Sequence, residues 1–321
     1  MNGGIIEAQH LYKTFDLEAG FFAKHDKTVY AVNDVSFTIE RGKTYGLVGE
    51  SGCGKTTTAR LLVEMYKPTS GKVLYTPAGG TVQNIGEYSR RGMRSYRERV
   101  KYIFQDPARS LNPRMNVFDV ITAGLRYSSK WKGMAAAKEL AAEIISEVGL
   151  AEADLYRRPS EFSGGQRQRI SIARGLIMEP DVMICDEVVS ALDVSIQGQI
   201  INLLDDLRRK HGLSFLFITH DLKVACYFCD TIGVMYRGVL VEEAPAGDLY
   251  RTALHPYTKL LFDGAAGKGA ASNLEVKTTL SIEQGCPFAY RCRYVQTKCR
   301  SELPDFTMQG TGHKVRCWAV R

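Results

Sequence analysis

Gly49-Glu50-Ser51-Gly52-Cys53-Gly54-Lys55-Thr56 fits the pattern G-x-x-x-x-G-K-[ST], in which a glycine-rich loop cradles phosphate groups. Glycines let successive backbone N–H groups turn inward without a Cβ clash. The helical pattern at 57–65 adds the partial positive charge of a helix N-terminus at the same point. In such a loop Lys55 reaches the β- and γ-phosphates of a nucleoside triphosphate, the Thr56 hydroxyl ligates Mg²⁺, and Thr57 adjoins them. The apolar run 45–48 precedes the loop, so strand, loop and helix follow in the order this chemistry requires.

Val182-Met183-Ile184-Cys185-Asp186-Glu187 is a second chemical element: an apolar strand ending in two carboxylates. Ligands of α/β sheets bind beyond the carboxyl ends of strands. Asp186 is therefore placed to hold Mg²⁺, directly or through water, and Glu187 to polarise a water in line with the γ-phosphate. Phe162-Ser163-Gly164-Gly165-Gln166 is the third. Two glycines after a serine let backbone pack closely on phosphate oxygens, and a helix over 165–178 would add its dipole there.

Phosphate loop, Ser-Gly-Gly run and carboxylate strand together resemble the ABC-type ATPases, and the resemblance covers most of residues 5–262. It implies an ATP- and Mg²⁺-dependent cassette with Glu187, His220, Gln105 and Lys55 in catalysis. Gln105, in Ile103-Phe104-Gln105-Asp106-Pro107, matches the glutamine that senses Mg²⁺ and the attacking water and hinges a helical subdomain. His220, ending Phe217-Ile218-Thr219-His220, matches the switch histidine that contacts the γ-phosphate. Adenine would stack on Phe15, in Leu11-Tyr12-Lys13-Thr14-Phe15, with Phe21, Phe22 and Tyr30 as alternatives. Ser163, Gly164, Gly165, Gln166 and Asp193 (in Ser190-Ala191-Leu192-Asp193) would act in trans on ATP held by another subunit. The expected unit is a head-to-tail pair with two ATPs sandwiched between like or related chains.

Cys286, Cys292, Cys299 and Cys317 crowd the end of the chain, with Arg291, Arg293, Lys298 and Arg300 interleaved. Four thiolates at short spacing suggest Zn²⁺ or an iron–sulfur cluster. The gaps of five and six residues between the first three are wider than those of common zinc knuckles. His255-Pro256-Tyr257-Thr258, then Gly285-Cys286-Pro287-Phe288 and Arg291-Cys292, resembles the C-terminal extension of oligopeptide, dipeptide and nickel importer ATPases. That resemblance implies a structural [4Fe–4S] cluster on the four cysteines, with Zn²⁺ as the other candidate. Cys226 and Cys229 lie in the helical run 222–229 and read as small core hydrophobes. Cys53 sits inside the phosphate loop, where it would expose the ATPase to thiol reagents.

The elements that must position these residues read as a P-loop α/β fold. Apolar runs at 44–48, 100–104, 182–185 and 214–219 are buried strands of a mixed, mainly parallel sheet. A helical subdomain is expected as an insertion at about 107–178, including the Ala-rich 134–148. The arginine-rich stretch 76–97 reads as a solvated loop and exposed helix face. A hairpin turning at Arg237-Gly238 is expected within 231–241, a short helix at 256–262 and a linker at 264–272. The domain expectation is a nucleotide-binding cassette over 1–264 and a small cysteine-rich extension over 265–321.

Across 321 residues, 45% hydrophobic and 24% charged content are ordinary globular values, and the net charge of +7 singles out no acidic partner. No apolar run approaches the roughly 18 residues a spanning helix needs. Met1-Asn2-Gly3-Gly4 carries no basic-then-apolar signal pattern, so eight cysteines do not read as a disulfide framework. The expected setting is peripheral, at the cytoplasmic face of the inner membrane. There two permease subunits, a second ATPase and, indirectly, an extracytoplasmic solute-binding protein complete an importer of oligopeptides or dipeptides. Uptake of nickel or another small solute is the alternative. A soluble ABC ATPase acting on nucleic acid is a weaker reading, because neither long coiled coils nor a second cassette is present, and no nucleic-acid partner is expected.

Overall fold

The computed structural model describes residues 3–17, 27–265 and 285–320. The alternative adenine partners Phe21 and Phe22, and most of the expected linker 264–272, lie outside them. The chain forms two compact units, one of Met1–Glu40, Thr44–Glu87 and Ile218–Arg321, the other of Arg41–Lys43 and Tyr88–Phe217.

In the first unit the chain opens with two long antiparallel strands, β1 (Gly4–Leu17) and β2 (Lys27–Glu40). The buried strand β3 (Thr44–Val48) leads into the phosphate loop and helix α1 (Lys55–Leu62). Strands β4 (Ser70–Tyr75) and β5 (Gln83–Asn84) complete a four-stranded antiparallel sheet in the order β2-β1-β4-β5. That sheet is not evident in the sequence, because bulges break the alternation of β1: Ile5, Ile6, Ala8 and Leu11 are all buried, and the register shifts between Ala8 and Leu11.

The second unit begins with α2 (Arg90–Arg99), capped by Ser89. It buries Met93 and Tyr96 and turns most of its arginines to solvent, as the composition predicts. Strand β6 (Val100–Ile103) is one residue shorter than expected, Phe104 being 38% exposed beyond it. Residues 107–178 are wholly helical in character: α3 (Pro107–Ser110), α4 (Val117–Thr122), α5 (Met134–Glu147) and α6 (Gly164–Leu176), with 3₁₀ turns between them. Strand β7 (Val182–Asp186) runs parallel to β6, and α7 (Val194–His211) follows. The order in this unit is β8-β7-β6, where β8 (Ser214–Thr219) carries the chain back to the first unit. β7 and β8 are buried along their whole lengths, as strands covered on both faces must be.

Back in the first unit, α8 (Leu222–Phe228) precedes β9 (Thr231–Tyr236), which pairs parallel with β3. Strand β10 (Val239–Pro245) returns antiparallel through Arg237 and Gly238, both at positive φ (43° and 84°) as a two-residue hairpin turn demands. Helices α9 (Ala246–Arg251) and α10 (Pro256–Ala265) follow. Residues 285–320 add β11 (Thr307–Met308) and β12 (Lys314–Val315), giving the order β11-β12-β10-β9-β3. Three side-chain pairs fasten β12 to the strands beside it. His313 Nε2 meets the fully buried Glu242 at 2.8 Å, Lys314 meets Glu243 at 2.9 Å, and Arg316 meets Asp34 at 2.6 Å. Glu242 also accepts the backbone N–H groups of Leu254 and His255 (2.7 and 2.9 Å), so its buried carboxylate is satisfied from three sides.

Candidate nucleotide site

The phosphate loop, in the first unit, is a tightly supported backbone. Gly54 adopts φ 109°, and a Cβ there would strike the Ala31 carbonyl, so only glycine fits. Gly238 N–H donates to the Cys53 carbonyl at 2.7 Å, tying the loop to the β9–β10 turn. Helix α1 starts at Lys55, two residues earlier than the apolar pattern suggests. The Lys55 side chain is buried (4% exposed), and its ammonium donates to the Gly49 and Glu50 carbonyls at 2.7 and 2.9 Å. Among the described residues it has no carboxylate partner, so a phosphate oxygen can exchange with neutral carbonyls rather than break an ion pair. Thr56 and Thr57 are half-buried at the helix start, while Ser51 and Gly52 are exposed.

Cys53 differs from expectation. Its thiol is 4% exposed, and burial raises its pKa even though Lys55 pulls the other way. A buried, protonated thiol is a poor nucleophile, so the loop is shielded from thiol reagents.

Glu50 is held at both ends. Its N–H donates to the Tyr257 hydroxyl at 2.9 Å. Both its carboxylate oxygens accept from Arg291 Nη1 at 3.0 Å, and that guanidinium also donates to the Tyr236 hydroxyl at 3.4 Å. Tyr236, Tyr257 and Phe288, all buried, pack ring against ring beneath this contact, with centroids 4.5–5.5 Å apart.

Two further expected residues lie in this unit. His220 is exposed at the end of β8, between Thr219 and Asp221, whose carboxylate caps α8. The Asp221 N–H donates to the Thr219 hydroxyl at 3.0 Å, which shapes the turn. The Phe15 ring is half-buried, edge-on to Tyr66 at 5.4 Å and beneath the Lys13 ammonium at 5.0 Å. Tyr30, its alternative, stands opposite Thr14 on β2 and is 40% exposed.

In the second unit, Asp186 ends β7 and is 3% exposed; Tyr102 of β6 donates its hydroxyl to Asp186 Oδ2 at 2.6 Å. Glu187 adopts φ 49°, a left-handed conformation that costs a non-glycine residue roughly 1–2 kcal/mol. Gln105 Nε2 donates to Glu187 Oε2 at 2.8 Å, so two residues singled out separately in the sequence meet directly. Five other non-glycine residues among those described share a positive φ; Glu187 is the one that follows a buried strand and meets Gln105. Tyr102 was not anticipated; its position in the apolar run gives no hint of which face it occupies.

Ser163 caps α6. Its hydroxyl accepts the Gln166 N–H at 3.3 Å, and Gln166 Oε1 accepts the Ser163 N–H at 3.0 Å, a reciprocal capping box. The S-x-x-Q spacing, not singled out in the sequence, makes Gln166 a structural partner of Ser163. A Cβ at Gly165 would lie 2.7 Å from Ile196 of α7, and one at Gly164 would touch Leu192, so the glycines admit the segment carrying Asp193. Asp193 is the exposed N-cap residue of α7 and makes no side-chain cap bond.

The four C-terminal cysteines line, in the first unit, one small cavity of about 10 Å³, together with His255, Phe288 and Trp318. Backbone N–H groups approach every sulfur: those of Tyr294 and Gln296 reach Cys292 and Cys299 at 3.4 Å, while Phe288 and Ala319 serve Cys286 and Cys317. Burial pushes the Cys286 thiol up to about 12 and raises Cys292 and Cys317. Among the described residues, however, no group of three or more His, Cys, Asp or Glu is set to hold a metal ion, so the expected cluster or zinc site is not preformed. In the C-x-x-C of α8, Cys229 is buried as expected, whereas Cys226 is half-buried. No helix among the described residues is long and apolar enough to cross a membrane.

The ABC transporter family matches residues 32–190, and the C-terminal region of oligopeptide/dipeptide transporters matches residues 241–299. The oligopeptide transport ATP-binding protein AppF of Bacillus subtilis is 38% identical, over 98% of this chain and 96% of its own length. The oligopeptide transport ATP-binding protein OppF of Haemophilus influenzae is 39% identical over 98% and 97%. Among solved structures, cbiO1 from Clostridium perfringens, part of the ABC transporter complex cbiONQ, shares the fold. Its TM-score is 0.66 at 24% identity, over 78% of this chain and 92% of that one. The dimeric structure of MJ0796, a bacterial ABC transporter cassette, matches with TM-score 0.63 at 25% identity, over 75% and 98%.

Proposed function

Since this chain belongs to the ATP-binding proteins of ABC transporters, we propose that it is the ATP-hydrolysing motor subunit of an importer of oligopeptides or dipeptides. The names of its relatives and the match at its C-terminal region support peptides over nickel or another small solute. Two permeases would carry the solute path and an extracytoplasmic binding protein would deliver the solute. This chain would work against the permeases at the cytoplasmic face of the membrane.

In this reading Gly49 to Thr57 hold the triphosphate. Lys55 exchanges its two loop carbonyls for β- and γ-phosphate oxygens, Thr56 and Asp186 hold Mg²⁺ with Gln105, and adenine rests against Phe15. Glu187 accepts a proton from the attacking water, and His220 contacts the γ-phosphate. Ser163, Gly164, Gly165 and Gln166 with Asp193 complete a second subunit's nucleotide site, that subunit being like this one or related to it. Ser163 accepts a hydrogen bond in its capping box, so its own O–H proton remains for a phosphate oxygen. Loss of the γ-phosphate removes the contacts that hold the pair closed, which links hydrolysis to opening.

One observation carries the hydrolytic assignment: the Glu187 carboxylate held by Gln105 at 2.8 Å on a backbone of positive φ. Glu187→Gln in the assembled importer should lower phosphate release at least about 100-fold, as loss of a general base does, and trap an ATP-bound dimer. Undiminished turnover would defeat the assignment.

The cavity supports a further proposal, that Cys286, Cys292, Cys299 and Cys317 hold a structural [4Fe–4S] cluster. Convergent sulfurs that accept backbone N–H groups suit thiolate ligands. Burial that keeps the thiols protonated means that metal must displace protons as it binds. The cluster, when bound, would supply cross-linking of the three segments that bear the cysteines.

A further inference from the structure

We infer that Arg291 is a positioning residue for the phosphate loop: by gripping the Glu50 carboxylate it makes nucleotide affinity depend on the cysteine-bearing segment. The inference rests on the ATP reading of the loop and goes beyond it, because Arg291 lies far downstream of every nucleotide motif. Glu50 occupies the first variable position of a loop built to receive a triphosphate, and an uncompensated carboxylate there repels it. Arg291 supplies the compensation from a single nitrogen 3.0 Å from each oxygen.

Geometry makes the grip more than a loose surface ion pair. The Arg291 side chain is 24% exposed, lies 5.8 Å from the centroids of both Tyr236 and Phe288, and donates to the Tyr236 hydroxyl. Tyr257, stacked in the same aromatic group, receives the Glu50 N–H. Main chain and side chain of Glu50 are thus held by one cluster, with the side chain 41% exposed and its carboxylate on Arg291. Phe288 belongs to that cluster and also lines the cysteine cavity, and Arg291 is bonded in sequence to Cys292. Any change in the cavity therefore reaches the phosphate loop through two neighbouring side chains.

The test titrates the full-length chain with a fluorescent mant-ATP and Mg²⁺. Arg291→Gln should raise Kd about tenfold, a change of the size that removing one compensating charge produces. Arg291→Lys, which keeps the charge, should stay within about threefold of the natural chain. Glu50→Gln alone should lower Kd about threefold, and the double variant R291Q/E50Q should return to within about threefold of the natural value. An unchanged Kd in Arg291→Gln, weaker binding by Glu50→Gln, or a double variant as weak as Arg291→Gln would each overturn the inference. The last outcome would reduce Arg291 to a packing residue. Lys55→Ala separates the two levels: if it binds mant-ATP as well as the natural chain, the loop reading itself fails, whatever Arg291 does.

Discussion

In the proposed function, Lys55, Asp186 and Glu187 are three residues held in three different ways for phosphate chemistry. Lys55 is buried and bonded to two loop carbonyls and, at 3.9 Å, to the Cys53 sulfur, so its charge is desolvated and its partners are replaceable. Asp186 is buried and oriented by the Tyr102 hydroxyl, and Glu187 is lifted by an unfavourable φ and steadied by Gln105. Tyr102 gives a prediction at this scale. Groups that orient a metal-binding carboxylate typically affect metal affinity 10- to 100-fold. Tyr102→Phe should therefore raise the Mg²⁺ concentration for half-maximal ATP turnover about tenfold while leaving turnover at saturating Mg²⁺ within about twofold. An unchanged Mg²⁺ profile would show that Asp186 needs no such orientation. The motif residues were singled out one by one, because each pattern is contiguous. Tyr102 was not, because its partner lies on another strand and alternation in so short an apolar run cannot assign its face.

At the scale of elements, the best-anticipated features carry their own instructions. The β9–β10 turn needs two consecutive residues at positive φ, which Arg-Gly can supply, and α6 begins where S-x-x-Q can cap it. The long β1–β2 pair was missed because its bulges destroy the period of two by which strands are recognised. Strand β12 is too short to be predicted at all, and its side-chain pairs are what hold it. One of them gives a pH prediction. Burial opposes ionisation of Asp34, but hydrogen bonds from Arg316 and His10 outweigh it and hold its carboxyl below the ordinary 3.8. Tyr12 is the other titratable group facing Asp34. A depressed folded-state pKa contributes stability that is fully present above the unfolded value and lost as pH falls through the folded one. Urea unfolding midpoints should thus fall more steeply below about pH 4 in the natural chain than in Arg316→Met, whose Asp34 has lost its main partner. Parallel acid limbs in the two proteins would show that the pair adds nothing.

At the scale of the whole molecule, residues from distant parts of the sequence act as one support in the first unit. Glu50, Tyr236, Tyr257, Phe288 and Arg291 brace the phosphate loop, while His255 and the four cysteines enclose the cavity beside Phe288. A cluster bound there would join the segments around Cys286, Cys292–Cys299 and Cys317, which the polypeptide alone connects by contacts such as Cys286 N–H to the Cys299 carbonyl at 2.8 Å and Lys298 over the Trp318 ring at 5.4 Å. Protein purified without oxygen should carry about four irons per chain with broad visible absorbance, and removal of the iron should lower its melting temperature. Zinc without iron, or neither metal in a chain of unchanged stability, would discard the cluster.

The sequence by itself determined the family, because a glycine-rich loop pattern, a carboxylate pair after an apolar strand and a Ser-Gly-Gly run are each written in a few adjacent residues. Hairpin turn, buried strands and helical segment were decided the same way, by local φ requirements and hydrophobic period. Tertiary structure alone decided that Arg291 reaches Glu50, that Tyr102 orients Asp186, that Gln105 meets Glu187 and that four spaced thiols share one cavity. Each of these depends on side chains far apart along the backbone being brought together by packing, and no periodicity within a segment records which distant segment will lie against it.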